Sequence, residues 1–225
     1  MTKGPIAVAL DGPDLDTVSR WADAVAPYVS TLKVGLETYL RDGDAAIAAV
    51  RATNCALFLD LKLHDIPNTV AGAARSVARF APDFLTVHAL GGSDMIAAAA
   101  EALPGTRITA VTILTSMDAV ALAAVGVEGT PLDAAVRLAR LAVDAGARAI
   151  VCSPLEVAAI RAVVPAGVTL ITPGVRPAGA DAGDQRRIAT PERALADGAD
   201  LVVIGRPITA ASDPGAAAAA IARSL

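Results

Sequence analysis

The 225-residue sequence is poor in aromatic residues and in cysteine. Aromatic side chains make up 3% of the chain, and no basic run has aromatics interleaved, so a stacking surface for nucleic acid is not expected. A net charge of -4 also argues against a general nucleic-acid surface. The two cysteines, Cys55 and Cys152, begin apolar strand-like runs, where buried thiols are expected rather than a disulfide framework.

Long apolar runs are also missing, although hydrophobic residues make up 54% of the chain and its mean hydropathy is +0.54. Much of that total is scattered alanine. The longest stretch without a charged residue, residues 162–175, is broken by proline and glycine, unlike the ~20 apolar residues of a membrane span. Asp11 interrupts the first apolar stretch before it could form a signal-peptide core. We therefore expect a soluble, cytoplasmic protein that enters no membrane.

Short apolar, β-branched segments alternate with longer alanine-rich segments of helical period. This alternation is typical of βα units around a parallel sheet, and single-domain α/β barrels commonly have this length. The predicted strands are residues 6–11, 32–36, 55–62, 84–89, 108–114, 149–153, 169–174 and 201–205. We therefore predict an α/β fold, a single (β/α)₈ TIM barrel over residues 1–225, with an open doubly wound sheet as the alternative.

A long connection rich in Gly, Ala and Asp, residues 172–190, interrupts the alternation. Connections of this length without structure of their own are uncommon and often act as lids or binding loops. We predict a mobile binding loop here, the alternative being a flexible insertion without function.

The stretch "LFLDLKLHDIPNTV", residues 57–70, places charges inside an apolar strand pattern. Asp60 and Lys62 are two residues apart, so their side chains are predicted on one face of the strand, about 6 to 7 Å apart along it. In a barrel mouth such a pair attracts with roughly 4 kcal/mol at 4 Å for an effective dielectric constant near 20. Lys33, in the preceding predicted strand, would add a second cation. A structural ion-pair network and a functional site both fit this spacing, and the cost of burying charge favours a site.

The segment "LVVIGRPI", residues 201–208, carries a second signal. Its glycine permits close backbone approach, and its arginine and proline come where a short helix would begin. In α/β barrels, phosphate commonly binds after the seventh and eighth strands, at a helix N-terminus. We predict a phosphate site at Gly205 and Arg206, with Arg176 and Gln185 of the long loop closing over it.

A phosphorylated small molecule bound there would extend across the barrel mouth and place its reacting end over Asp60 and Lys62. An ammonium aimed at an atom that gains negative charge stabilises that charge and can then deliver a proton. The sequence therefore predicts decarboxylation or enolate chemistry without an organic cofactor.

The chain resembles the orotidine 5′-phosphate decarboxylase family in six segments that occur in the family's order: "VALD", "LKVGLE", "LDLKLHDIPNT", "VHALGG", "TPGVR" and "IGRPI". The D-x-K-x-x-D element is shared with other phosphate-binding barrels, whereas the extended H-D-I-P-N-T form is far more specific. The resemblance implies loss of CO₂ from orotidine 5′-phosphate to give uridine 5′-phosphate, the last step of pyrimidine nucleotide synthesis, with no metal and no cofactor.

The resemblance also implies roles for individual residues. Lys62 would donate a proton to the ring carbon that loses carboxylate, and Asp60 would lie beside the departing carboxylate. Asp11 and Lys33 would hold the ribose hydroxyls, and Lys33 would also complete the charge network. The other implied substrate contacts are Thr115 and Ser116 near the pyrimidine, Arg176, Gln185, Gly205 and Arg206 at the phosphate, and Pro173 at the end of the seventh strand.

In the family, Asp65, Ile66 and Thr69 belong partly to the site of the partner subunit, so the resemblance implies a homodimer with Asp65 among the catalytic residues. From the residues alone, Asp65 lies just before Pro67 at a helix start, where its charge is favourable. His64, in the same motif, is expected to be a neutral imidazole bonded to the backbone, without a chemical role.

Two other functions stay open. Magnesium-dependent sugar-phosphate decarboxylases and aldolases of the same superfamily share the D-x-K-x-x-D element. They place an acidic metal ligand on the second strand, where this chain has Lys33. The other alternative is a non-catalytic nucleotide-binding barrel, and the intact set of charged residues argues against it.

Overall fold

The computed structural model describes residues 3–176 and 189–225. In this part of the chain, parallel strands form a closed barrel in sequence order. The strands are β1 (Gly4–Ala9), β2 (Val29–Gly35), β3 (Ala56–Leu63), β4 (Phe84–His88), β5 (Arg107–Val111), β6 (Ala149–Val151), β7 (Thr169–Thr172) and β8 (Leu201–Ile204). Because β1 pairs with β8, the sheet has no free edge. The prediction of a (β/α)₈ barrel is confirmed, and the open-sheet alternative is wrong.

Helices connect successive strands, and several begin at side chains that cap free backbone N–H groups. Thr130 and Asp133 form a capping box ahead of one helix, and Asp14 accepts from the Thr17 N–H ahead of another. No helix in the described ranges is both long enough and apolar enough to cross a membrane. The helices are α1 (Leu15–Val25), α2 (Leu36–Asp42), α3 (Asp44–Arg51), α4 (Pro67–Val77), α5 (Ser93–Ala102), α6 (Ala119–Ala124), α7 (Pro131–Asp144), α8 (Val157–Arg161), α9 (Pro191–Ala196), α10 (Arg206–Thr209) and α11 (Pro214–Ser224).

The apolar core has two parts because successive strand residues point to opposite faces of the sheet. The larger part lies between strands and helices, and it includes Leu57 and Leu59 of β3 and the thiols of Cys55 and Cys152, which are buried as predicted and form no disulfide among the described residues. The smaller part fills the inside of the barrel with Ala7, Phe58, Phe84, Ala149, Ile171 and Leu201. Two residues beyond Phe58, at the carboxyl end of β3, the interior position becomes polar.

Several strands end earlier than predicted. β1 ends at Ala9 rather than at residue 11, and β5 ends at Val111 rather than at residue 114. The chain leaves the sheet after β1 because the Gly12 N–H bonds to the Leu10 carbonyl and not to a neighbouring strand. Asp11 therefore lies in the loop that follows β1, at the carboxyl end of the barrel.

The connection of residues 172–190 lies mostly outside the described residues. Its two ends meet, because Val175 forms an isolated bridge with Ala189 and the Arg176 N–H donates to the Ala189 carbonyl at 2.9 Å. Gln185 is outside the described residues, so its predicted phosphate contact stays a prediction, as does the mobility of this loop.

Candidate active site

Four charged side chains of alternating sign form a continuous row inside the carboxyl end of the barrel. Asp60 is at the centre, with one carboxylate oxygen 2.9 Å from the Lys62 ammonium and the other 3.2 Å from the Lys33 ammonium. The Lys33 ammonium lies 3.6 Å from the carboxylate of Asp11. The prediction that Asp60 and Lys62 form a neighbouring pair, with Lys33 as a second cation, is confirmed.

Gly35 makes room for this row. It is the register partner of Asp60 on the adjacent strand β2. A Cβ at Gly35 would lie 2.6 Å from the Asp11 carboxylate and 2.8 Å from the Lys33 ammonium. Since non-bonded atoms do not approach so closely, an alanine here would force the ends of these two side chains to shift. Glycine therefore serves space here and not backbone conformation, since its φ is -92°.

The backbone of Lys62 adopts the left-handed conformation, with φ 48°. This conformation is uncommon for a residue other than glycine and costs of the order of 1 to 3 kcal/mol, so the surroundings must hold it in place. The Lys62 N–H donates to the hydroxyl of Thr86 on β4 at 2.8 Å, and the same hydroxyl donates to Asp60 at 3.0 Å. Strand alternation predicted the direction of the Lys62 side chain but not this departure from strand geometry.

The row of charges stabilises the ionised form of each buried member. Burial alone would raise the pKa of Asp60, but the ammonium groups of Lys33 and Lys62 outweigh it and hold that pKa below its usual range. Burial also opposes a charge on Lys33, yet the carboxylates of Asp60 and Asp11 raise its pKa above the ordinary lysine value. Asp60 and Lys33 are therefore both charged at neutral pH.

An apolar cavity of about 240 Å³ opens above the row. Lys33, Asp60 and Lys62 form its polar part, and Thr115 also lines it. The remaining walls are Phe58, Val111, Ile113, Leu114, Val151, Cys152, Pro173 and Val203. A flat, largely apolar ring can be enclosed here with one edge against the Lys62 ammonium.

A second cavity, of about 440 Å³, shares Pro173 and Val203 with the first. Gly205 and Arg206 line it at the start of α10, and Arg176 lines it from the connection that follows β7. Its other lining residues are Ala9, Asp11, Glu37, Gly174 and Thr209. Two guanidinium groups in one cavity suit an anion, and they lie where the sequence predicted phosphate.

Not all predicted residues line these cavities within one chain. Ser116 is exposed and belongs to neither cavity, although its neighbour Thr115 lines the first. Asp65, Ile66 and Thr69 are exposed at the start of α4. Their predicted contribution to a partner's site stays a prediction.

The short segment before α4 has its own surroundings. Asp65 accepts a hydrogen bond from the Ile66 N–H at 2.7 Å. Its carboxylate lies just before the start of α4, as expected from the residues alone, although no side chain in the described part of the chain caps the first N–H groups of this helix. The ring of His64 lies 5.5 Å from that of His88, measured between centroids. Burial, together with His64 and Lys62, lowers the pKa of His88, which favours its neutral form.

Sequence reasoning missed Thr86 and Gly35. Thr86 is a polar residue within the apolar run "FLTVH", the same kind of signal that identified Asp60. Gly35 is a glycine inside a strand, which often marks a close approach of other atoms. The apolar residues that line the first cavity were also missed, because the sequence of a single strand does not say which of its apolar residues face the barrel mouth.

A closed parallel barrel with a partly buried charge row and two adjoining cavities at the carboxyl ends of its strands defines a (β/α)₈-barrel enzyme. The family model "Orotidine 5′-phosphate decarboxylase / HUMPS family" matches residues 4–221. The chain belongs to this family.

Individual relatives agree with the family model. Over 222 residues the chain is 72% identical to an orotidine 5′-phosphate decarboxylase of Thermobifida fusca, covering 98% of this chain and 95% of that protein. A relative of the same name from Frankia casuarinae is 55% identical over 99% of this chain and 88% of its own length. The crystal structure of orotidine 5′-phosphate decarboxylase from Lactobacillus acidophilus superposes with a TM-score of 0.84 at 35% identity, covering 98% of both chains. The predictions of the family and of a carboxy-lyase are confirmed.

Proposed function

We propose that this protein converts orotidine 5′-phosphate to uridine 5′-phosphate and CO₂ in the cytoplasm, as the last step of pyrimidine nucleotide synthesis. The observation that carries the proposal is the Lys62 ammonium, held 2.9 Å from Asp60 beneath an apolar cavity that joins a second cavity lined by Arg176 and Arg206. The first cavity suits a pyrimidine ring and the second suits a phosphate. The names of the relatives agree with this substrate.

Lys62 is the proposed proton donor. The bond between the ring carbon and the carboxylate breaks, CO₂ leaves, and the electron pair stays on the ring carbon. The Lys62 ammonium stabilises that developing charge and then transfers a proton to it, which forms the new C–H bond. Solvent afterwards returns a proton to the lysine, so neither a metal nor an organic cofactor takes part.

Asp60 contributes chiefly by fixing the ammonium that faces the reacting carbon. It would also lie beside the departing carboxylate, and in the complex with substrate the two negative charges would repel each other. Such repulsion speeds the reaction only to the extent that it is relieved in the transition state. We therefore assign the larger share of the rate acceleration to Lys62, whose charge meets a negative charge that exists only as CO₂ leaves.

The remaining residues bind the nucleotide. Asp11 and Lys33, which meet at 3.6 Å, are proposed to hold the ribose hydroxyls between the two cavities. Arg176, Arg206 and the backbone at Gly205 are proposed to bind the phosphate. Thr115 and Pro173, which line the cavity over Lys62, are assigned to the pyrimidine side, as is Ser116, which follows Thr115 in the chain. Gln185 is assigned to the phosphate.

The magnesium-dependent rival is disfavoured by the position of Lys33. Its ammonium lies between the carboxylates of Asp11 and Asp60, at 3.6 and 3.2 Å, where a divalent cation shared by these two carboxylates would have to sit. Two like charges cannot share that space at low cost.

The test follows the loss of orotidine 5′-phosphate absorbance by the purified protein, with and without EDTA. We expect turnover that EDTA leaves unchanged. Turnover that EDTA abolishes and Mg²⁺ restores would favour the rival, and binding without turnover would favour the non-catalytic barrel.

We also propose a homodimer in which Asp65, Ile66 and Thr69 complete the partner's site. Their exposure at the start of α4 supports this, because they lie outside the two cavities of their own chain. Lys62→Ala and Asp65→Asn should each be inactive alone. After subunit exchange, mixed dimers have one site with both native residues, so about a quarter of the wild-type activity should return from an equal mixture. Verified mixed dimers without activity would contradict the shared site.

A further inference from the structure

Thr86 is a fully buried residue of β4 whose hydroxyl joins two members of the charge row. It accepts from the Lys62 backbone N–H at 2.8 Å and donates to Asp60 at 3.0 Å. A hydroxyl has one proton to donate and can accept in return, so both capacities are used within one site. Thr86 does not line the cavity above the row and therefore acts only through its two partners.

The pairing of β3 with β4 shows why this hydroxyl is needed. The strands are in register at Leu59 and Leu85, and the next pair is Leu63 with Val87. Between these pairs, three residues of β3 (60–62) lie opposite one residue of β4, Thr86, so β3 forms a β-bulge. Such a bulge leaves backbone groups without a partner from the opposite strand.

The Thr86 hydroxyl replaces that missing backbone partner for Lys62. The bulge and the left-handed backbone, φ 48°, occur together at this residue. An ordinary extended backbone would continue the hydrogen-bond ladder with β4. The bond to Thr86 instead anchors the backbone from which the ammonium projects, and the bond to Asp60 anchors the carboxylate that the ammonium contacts.

We propose that Thr86 is a positioning residue that fixes the ammonium of Lys62 by holding its backbone N–H and the carboxylate of Asp60 with one hydroxyl. This inference rests on the proposed decarboxylation only for its effect on rate. The positioning itself is a property of the folded chain and can be measured without substrate.

The kinetic test uses Thr86→Val, which keeps the shape of the side chain and removes its hydroxyl. We expect kcat to fall roughly 10- to 100-fold, because small misplacements of a catalytic group have effects of this size. KM and the affinity for uridine 5′-phosphate should change little, since Thr86 lines neither of the two cavities. Thr86→Ser, which restores the hydroxyl, should recover most of kcat.

Thr109→Val is the matched control. Thr109 is the register partner of Thr86 on β5 and is equally buried, but its hydroxyl donates to the Arg107 carbonyl at 2.9 Å, away from the charge row. Its loss should leave kcat near the wild-type value. An equal fall of kcat in Thr109→Val, or a Thr86→Ser enzyme as slow as Thr86→Val, would overturn the proposal, because packing would then explain the effect.

A second measurement separates the positioning from the activity. Amide hydrogen exchange at Lys62 should be faster in Thr86→Val than in the wild-type protein, and Thr86→Ser should restore the slower rate. This result is expected even if the wild-type protein fails to turn over orotidine 5′-phosphate. Wild-type kcat in Thr86→Val, or unchanged exchange at Lys62, would overturn the inference while leaving the proposed function in place.

Discussion

Replacing Asp60 with asparagine removes the negative charge that separates two ammonium groups. Its carboxylate lies 3.2 Å from Lys33 and 2.9 Å from Lys62, and its side chain is 10% exposed. At such distances and an effective dielectric constant near 20, each pair attracts with roughly 5 kcal/mol before the cost of desolvation. Removing one partner of a buried pair costs about 3 to 5 kcal/mol, because the remaining charges are left uncompensated. We expect Asp60→Asn to lower the free energy of unfolding by that amount at neutral pH.

Urea denaturation measures this loss, and the thermal midpoint should fall by roughly 6 to 20 °C for a chain of this size. Asp44→Asn is the matched control, because Asp44 pairs with Arg79 at 3.0 Å on the surface, where the side chains are 64% and 59% exposed. An exposed pair contributes less than about 1 kcal/mol, so the control should be close to wild type. Equal stability of Asp60→Asn and the wild-type protein would refute the assigned energy.

Measuring the free energy of unfolding of Asp60→Asn and of the wild-type protein at several pH values tests whether the stability lost in the variant is electrostatic. Lys33 and Lys62 lower the pKa of Asp60 in the folded chain. The stability that this carboxylate contributes is therefore complete above the unfolded value, about 3.9, and is lost as the pH falls through the lower folded value. The difference in free energy of unfolding between the wild-type protein and Asp60→Asn should therefore become smaller as the pH falls. A difference that stays constant down to the onset of acid unfolding would contradict this reasoning.

Two further substitutions test other contacts. Gly35→Ala should lower kcat/KM roughly 100-fold, because the added Cβ would lie 2.6 Å from the Asp11 carboxylate and 2.8 Å from the Lys33 ammonium. Gly105→Ala is the control and should keep wild-type kinetics, because no atom of the described residues lies within 4 Å of its added Cβ. Equal kinetics of the two variants would contradict the space requirement. Thr172→Val should raise the free energy of unfolding by about 1 kcal/mol. The buried Thr172 hydroxyl has no hydrogen-bond partner among the described residues, so its removal ends an uncompensated loss of hydration. A melting temperature below that of the wild-type protein would contradict this.

The barrel and its charge row could be predicted because both depend on local patterns. Alternating apolar and alanine-rich segments predicted the strands, and a spacing of two placed Asp60 and Lys62 on one face. The ends of the strands were less predictable, since the chain leaves the sheet where loop hydrogen bonds replace the ladder, as at Asp11.

The contacts made by Thr86 and Gly35 could not be predicted from the same patterns. They depend on the register of β4 against β3 and of β2 against β3, which joins residues far apart in the sequence. The left-handed backbone of Lys62 follows from that register and has no signal in the lysine itself. The proposed role of Asp65 involves a second chain, whose contacts do not follow from the spacing of residues in one chain.

The central claim is that the Lys62 ammonium carries the chemistry of the site. Its most direct test is kcat for orotidine 5′-phosphate in the Lys62→Ala variant. The control is Lys3→Ala, because Lys3 lies just before the start of β1 and its ammonium donates to the Asn54 carbonyl at 2.9 Å. We expect Lys62→Ala to lose at least about 10⁴-fold in kcat while still binding uridine 5′-phosphate, and Lys3→Ala to keep wild-type turnover. Near-normal turnover by Lys62→Ala would contradict the account.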